Sequence, residues 1–140
     1  MHKVYLAIPL APDELLGHIN DAGIVFRSKV GLDDRLGEAN LATGRVYADR
    51  FGPDKEVARV DVRNGKVYLS RLGLDEYVGN VDVHGHMHKH VRLGPDKYIG
   101  KIVPFVSYAH SAAAMVLLVL PALEERAKSD QVEDETDDAP

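Results

Sequence analysis

The residues of this chain best placed to do chemistry are four histidines in one stretch, Val81-Asp82-Val83-His84-Gly85-His86-Met87-His88-Lys89-His90-Val91-Arg92-Leu93. Read as one extended strand, the stretch alternates with a period of two. Asp82, His84, His86, His88, His90 and Arg92 then share one face, and Val81, Val83, Gly85, Met87, Lys89, Val91 and Leu93 the other. Same-face neighbours on a strand lie about 6.6 Å apart at Cα, so two imidazoles of a His-x-His pair can lean onto one ion at about 2.0 to 2.1 Å. Neutral imidazole suits Zn, Fe, Ni or Cu rather than Ca or Mg. The candidate ligands are His84, His86, His88 and His90, with His110 as a further one. The same pattern also fits a solvated polar face, imidazoles bonded to each other and to Asp82 without an ion, or a metal-free acid/base site. His110, at a helix start, equally fits a capping or surface role.

The chain contains no cysteine. This excludes a disulfide scaffold, a thiolate metal site and a cysteine nucleophile. There is also no phosphate-cradling glycine loop, no Gly-x-Ser-x-Gly elbow, no His-Glu-x-x-His and no dinucleotide fingerprint. The formal charge of -5 comes from the end of the chain: six of the 22 carboxylates fall in the last twelve residues, leaving 16 against 17 basic residues before them. A nearly neutral body removes the electrostatic case for nucleic-acid binding. The apolar stretch after Met1 is too short for a signal-peptide core, so a cytoplasmic location is expected. Ile102 to Leu123 carries no charge. Its first third continues a strand pattern, leaving only Ala109 to Leu120 as helix, too short to span a bilayer, so a membrane partner is not expected.

The elements that must position the histidines are read from an internal repeat. Residues 24–62 align without a gap on residues 66–104, an offset of 42 with 11 identities, where average composition would give about two or three. Val30-Gly31-Leu32-Asp33-Asp34 matches Leu72-Gly73-Leu74-Asp75-Glu76, and Arg50-Phe51-Gly52-Pro53-Asp54-Lys55 matches Arg92-Leu93-Gly94-Pro95-Asp96-Lys97. The matching acidic pairs, Asp33-Asp34 and Asp75-Glu76, read as turn chemistry. Each copy reads as three strands, the second running from Ala39 to Phe51 or from Val81 to Leu93. In this alignment the histidine register falls on Ala42, Gly44, Val46 and Ala48, which points it inward. The more apolar set Val83, Met87 and Val91 points the other way, and a bulge at Gly85 would swap the faces.

The expected fold is therefore α+β: a small, mainly antiparallel β-barrel or folded sheet built from a duplicated three-stranded unit (24–62 and 66–104). A strand from Lys3 to Leu10 and a short N-terminal helix from Asp13 to Asn20 flank it, and a buried C-terminal helix capped by Ser111 follows. Residues 1–127 form one domain, and residues 128–140 an acidic tail too polar to pack. A helix apolar on every side, beside a barrel that covers only part of it, predicts a homo-oligomer. Two functions follow: a metal-binding protein, as a simple binder or as a small metal-dependent enzyme of unknown substrate, or a metal-free homo-oligomeric binding or scaffold module with a structural or pH-responsive His face.

Overall fold

The structure is a computed structural model that describes residues 1–49, 55–71 and 74–137. Ten antiparallel strands run in chain order: β1 His2–Leu6, β2 Glu14–Ile19, β3 Ile24–Arg27, β4 Asp34–Ala39, β5 Arg45–Ala48, β6 Lys55–Val60, β7 Lys66–Arg71, β8 Leu74–Val81, β9 His86–Lys89 and β10 Lys97–Val103. Each pairs with its sequence neighbour, and β10 pairs with β1, so the sheet closes as an up-and-down barrel. The chain then turns into the lumen as α1 (Tyr108–Ala114), passes through a π-helical turn (Met115–Val119) and leaves the other end as α2 (Leu120–Asp137). The backbone is helical to Asp137 over the acidic run whose composition reads as a tail.

The barrel is a repeat of β-hairpins rather than of the expected three-stranded unit. Residues 24–62 hold β3 to β6 and residues 66–104 hold β7 to β10, four strands each. The expected second strand, Ala39 to Phe51, is broken at Asn40–Gly44 by a turn in which Gly44 N–H donates to the Asn40 carbonyl at 2.8 Å. A shorter unit recurs about every 21 residues along the chain. Its turns end at Gly23, Gly44, Gly65 and Gly85, all with φ between 77° and 91°, a region where a Cβ is penalised. Each of these glycines accepts the same ladder bond, from Ala39, Val60, Val81 and Ile102 N–H respectively, at 2.8 to 2.9 Å.

Inside, Val4, Val25, Val46, Val67 and Met87 on the odd-numbered strands, and Ile19, Ala39, Val60, Val81 and Ile102 on the even-numbered ones, are all buried. Just beyond this layer the register shifts once per hairpin. Leu16, Leu36, Val57, Val78 and Ile99 are the extra residues there, and each packs on or within the core. A bulge leaves one residue unpaired and sharpens the local twist, which is how a sheet of short strands curls shut.

Residues 13–20, expected as a helix, form β2 instead. Leu15, Leu16 and Ile19 fit a helical stripe, but β1 and β3 flank this segment and require its backbone donors for the ladder. Helix α1 is capped by Ser107, whose Oγ accepts the His110 N–H at 3.2 Å, rather than by Ser111. Ser111 lies further along, fully buried, and its Oγ has no hydrogen-bond partner among the described residues.

What admits a helix to the lumen is small residues on both sides of the contact. Ala109, Ala112, Ala113 and Ala114 face the wall and are buried. On the wall, an added Cβ at Gly37 would lie 2.9 Å from Leu117, at Gly79 3.0 Å from Met115, and at Gly100 3.0 Å from Val119. The same Cβ at Gly37 would meet the Tyr47 carbonyl oxygen at 2.1 Å. Two substitutions should therefore act in opposite directions in chemical denaturation. Gly37→Ala should lower stability by about 2 kcal/mol through overpacking, and Ser111→Ala should raise it by about 1 kcal/mol by removing an unsatisfied hydroxyl.

Candidate functional site

The histidine stretch is not one strand. Val81 ends β8, Asp82–Gly85 forms a turn, and His86 begins β9. Asp82 builds the turn: its Oδ1 accepts the His84 N–H at 2.9 Å and the His86 N–H at 3.0 Å. This turn has one residue fewer than those at Asn40–Gly44 and Asp61–Gly65, closing through a bond from Gly85 N–H to the Asp82 carbonyl. Gly85 thus takes the place of Gly44, and Met87 that of Val46, both fully buried. A slip of one residue exchanges the two faces of a strand. The inward histidine register implied by the gapless alignment is corrected: His86 and His88 lie on the outer face.

There the strip joins a wall of rings. His88 stands where the other odd strands carry Tyr5, Phe26, Tyr47 and Tyr68, and its ring packs 5.8 Å from that of Tyr98. His86 meets the same tyrosine edge-on at 5.3 Å, and His84 lies 6.4 Å from His86. Asp82 Oδ2 is 3.4 Å from His88 Nε2 and 3.8 Å from His86 Nδ1. Burial raises the Asp82 pKa, but the backbone N–H groups of His86 and His84 and the His88 ring outweigh it and hold the carboxyl below its usual range. Past the end of β9, His90 packs 5.0 Å from Tyr77, with Nδ1 3.5 Å from Asp96 Oδ1. Among the described residues no group of three or more His, Asp or Glu side chains is arranged to hold a metal ion.

His110 belongs to a different cluster, one the sequence reading missed because its members are far apart in the chain. At the end of the barrel where α1 enters, the rings of His2 and His110 lie 5.8 Å apart beside the β2–β3 turn. His2 Nδ1 is 2.9 Å from the Pro104 carbonyl and its Nε2 2.9 Å from Asp21 Oδ1, an arrangement in which both nitrogens face acceptors. His110 Nε2 donates to the Asp21 carbonyl at 3.1 Å, and its Nδ1 accepts from the Ser107 hydroxyl at 2.7 Å. A neutral ring satisfies both contacts. Asp21 thus ties the N-terminal strand to the start of the lumen helix through its side chain and its backbone at once. The only sequence signals for this cluster are single histidines at positions 2 and 110.

The loop end of the barrel completes the picture. Its loops repeat an apolar residue followed, three positions later, by aspartate: Leu10 and Asp13, Val30 and Asp33, Leu72 and Asp75, Leu93 and Asp96. Leu72 lies outside the described residues, as does Phe51 of the remaining loop. The aspartates reach to the wall: Asp13 to Lys101 at 3.2 Å, Asp33 to His18 at 3.7 Å, Asp75 to Arg59 at 2.7 Å, and Asp96 to Asn80 at 3.1 Å. These ties replace the purely local turn chemistry expected of Asp33 and Asp75. The tips point into solvent: Leu10, Val30, Leu32, Leu74 and Leu93 are each at least 76% exposed. Leu10 and Leu93 hold φ of 59° and 63°, a left-handed conformation unfavourable for leucine.

Comparison with known proteins finds no matching family model, and no similar curated protein or solved structure. No described helix is long and apolar enough to cross a membrane.

Burial holds the His110 pKa below its ordinary value of 6.5, outweighing the bond to the Asp21 carbonyl, while the His2 bond holds Asp21 below the usual carboxylate range. As pH falls below about 6.5 the unfolded chain takes up the His110 proton before the folded chain does, so stability is lost. Melting temperature should drop between neutral and mildly acidic pH, with a smaller drop in His110→Gln, the difference staying within the one-proton limit of about 1.4 kcal/mol per pH unit. Equal slopes in the two proteins would assign the acid sensitivity elsewhere.

Proposed function

We propose that this protein is a metal-independent, self-associating binding module: the plugged barrel is a rigid platform, and the loop end around α2 is its contact face. The observation that carries this reading is the row of exposed tips, Leu10, Val30, Leu32, Leu74 and Leu93, on one rim. Isolated exposed leucines are ordinary, but a set repeated loop after loop on one end marks an interaction surface. The left-handed Leu10 and Leu93 strengthen the case, because strain retained at an exposed position points to use rather than packing. The described loop aspartates are tied to the wall, so the apolar tips are presented without a free carboxylate of their own loop beside them. Burying one such side chain contributes about 1.5 to 3 kcal/mol, so a few tips suffice for association.

The reason for self-association is not the one expected from composition. Ala109 to Ala114 are covered by the barrel's own wall and need no neighbour. Nor does the interior offer a site for catalysis, since the helix fills it. The competing reading, a metal ion on His84, His86 and His88, draws no support from their positions, because His84 sits in the turn while the Asp82 carboxylate lies 3.4 Å from the His88 ring and 3.8 Å from the His86 ring.

Light scattering across a dilution series should give a multiple of the chain mass for the native protein. Leu32→Ser/Leu74→Ser/Leu93→Ser should be monomeric with an unchanged melting temperature, since all three side chains are exposed. Metal content of untagged protein should fall well below one equivalent, in His86→Ala/His88→Ala as in the native chain. A native monomer would overturn self-association, and one equivalent of metal lost in the double variant would restore the metal reading.

A further inference from the structure

At the loop end, a cleft of about 730 Å³ lies between α2 and the wall formed by β9, β10 and the β1–β2 loop. We propose that it is a binding site for an amphipathic organic anion, a carboxylate or sulfonate carried on a hydrocarbon or aromatic body. Three features of the cleft select that class. Its apolar lining comes from Ile8, Ile99 and Leu123, contributed by the β1–β2 loop, β10 and α2. Around it stand the cationic groups of Lys89, Lys97 and Arg126. Its size falls in the range of about 300 to 1,000 Å³ that small-molecule sites occupy.

The charge arrangement is the distinguishing observation. Some cations of the barrel are matched: Arg59 bonds Asp75 at 2.7 Å, Arg45 lies 3.3 Å from Glu56, and Lys101 takes up Asp13. Others, such as Lys3, Lys55 and Lys66, form no ion pair among the described residues. What sets the cleft apart is that three such cations line one cavity. Among the described residues, Lys89, Lys97 and Arg126 form no ion pair. Asp13, the acidic residue of the lining, is held by Lys101 at 3.2 Å. Three cations lining one cavity of a body with 17 basic and 16 acidic residues before its last twelve positions form a local feature. Their hydrocarbon stems extend the apolar lining while their heads stay at its edge. A ligand with an apolar body and one anionic head answers both parts, whereas a bare inorganic anion answers only the rim. The site does not depend on self-association, since neither Leu32 nor Leu74 lines it.

The test is a two-dimensional NMR titration of the full chain with sodium decanoate, kept below its micelle concentration, against 1-decanol and sodium acetate. Decanoate should give saturable shifts at one site per chain, centred on residues 7–9, 97–99 and 123–127. Decanol should bind at least about tenfold more weakly, a difference of about 1.4 kcal/mol, and acetate should produce no saturable shift. Lys97→Glu/Arg126→Glu should weaken decanoate by tenfold or more, and Lys97→Gln/Arg126→Gln by less; these exposed positions leave the fold intact, as the unchanged remainder of the spectrum will verify. Non-saturating shifts, shifts centred on other loops, equal affinity for decanol, or decanoate binding unaffected by the charge reversal would each overturn the proposal.

Discussion

A closed barrel of ten strands has a lumen too wide for its own side chains to fill, and everything else in this protein depends on how that space is occupied. An ordinary amphipathic helix would be too bulky and too polar. The segment from Ala112 to Val119 is apolar on all sides and begins with three alanines, so its first turn is narrow. The wall answers with glycine or alanine at Gly17, Gly37, Ala58, Gly79 and Gly100, one on each even-numbered strand. Where the helix widens at Met115, Leu117 and Val119, the facing glycines leave no room for a methyl group. Helix and wall are complementary parts of one core, and neither has an apolar partner without the other.

Filling the lumen decides where function can lie. The helix occupies the lumen, His86 and His88 lie on the outer wall, and His2 and His110 meet at one end. The end where the helix enters carries tight turns and the His2, Asp21 and His110 contacts that fix α1 in place. The end where it leaves carries longer loops, exposed tips and the cationic cleft. This difference, one end closed by hydrogen bonds and the other ending in exposed tips, follows from threading a single helix through the barrel in one direction.

Barrel, antiparallel pairing and buried C-terminal helix were legible in the sequence because alternation, Asn-Gly and Gly-Pro-Asp turns and an uncharged run are local signals. The unit of repetition was not. An offset of 42 spans two hairpins, and the shorter period is hidden because the turns at Asn20–Gly23 and Asp82–Gly85 are one residue shorter than the other two. That same difference reversed the implied face of the histidines: a gapless alignment sets His86 against Gly44, while the fold sets Gly85 there. Residues 13–20 were misread because Pro12 and Asp13 resemble a helix start, and only closure of the barrel supplies the strand partners that override it. The His2 and His110 contact joins residues 108 positions apart in sequence, a separation no local pattern encodes. Expecting the barrel to cover only part of the helix followed from the same blind spot, since composition tells that a segment is buried but not by what.

The central claim is that the helix is an integral part of the barrel core rather than an appendage docked on it. Native-state hydrogen exchange tests this most directly, because it measures the free energy needed to expose each amide. Amides from Ala112 to Val119 should exchange only through global unfolding, with the same protection as Val25, Val46, Val67 and Met87 in the wall. Exchange of the helix through a smaller opening, while the strands stay protected, would contradict the account.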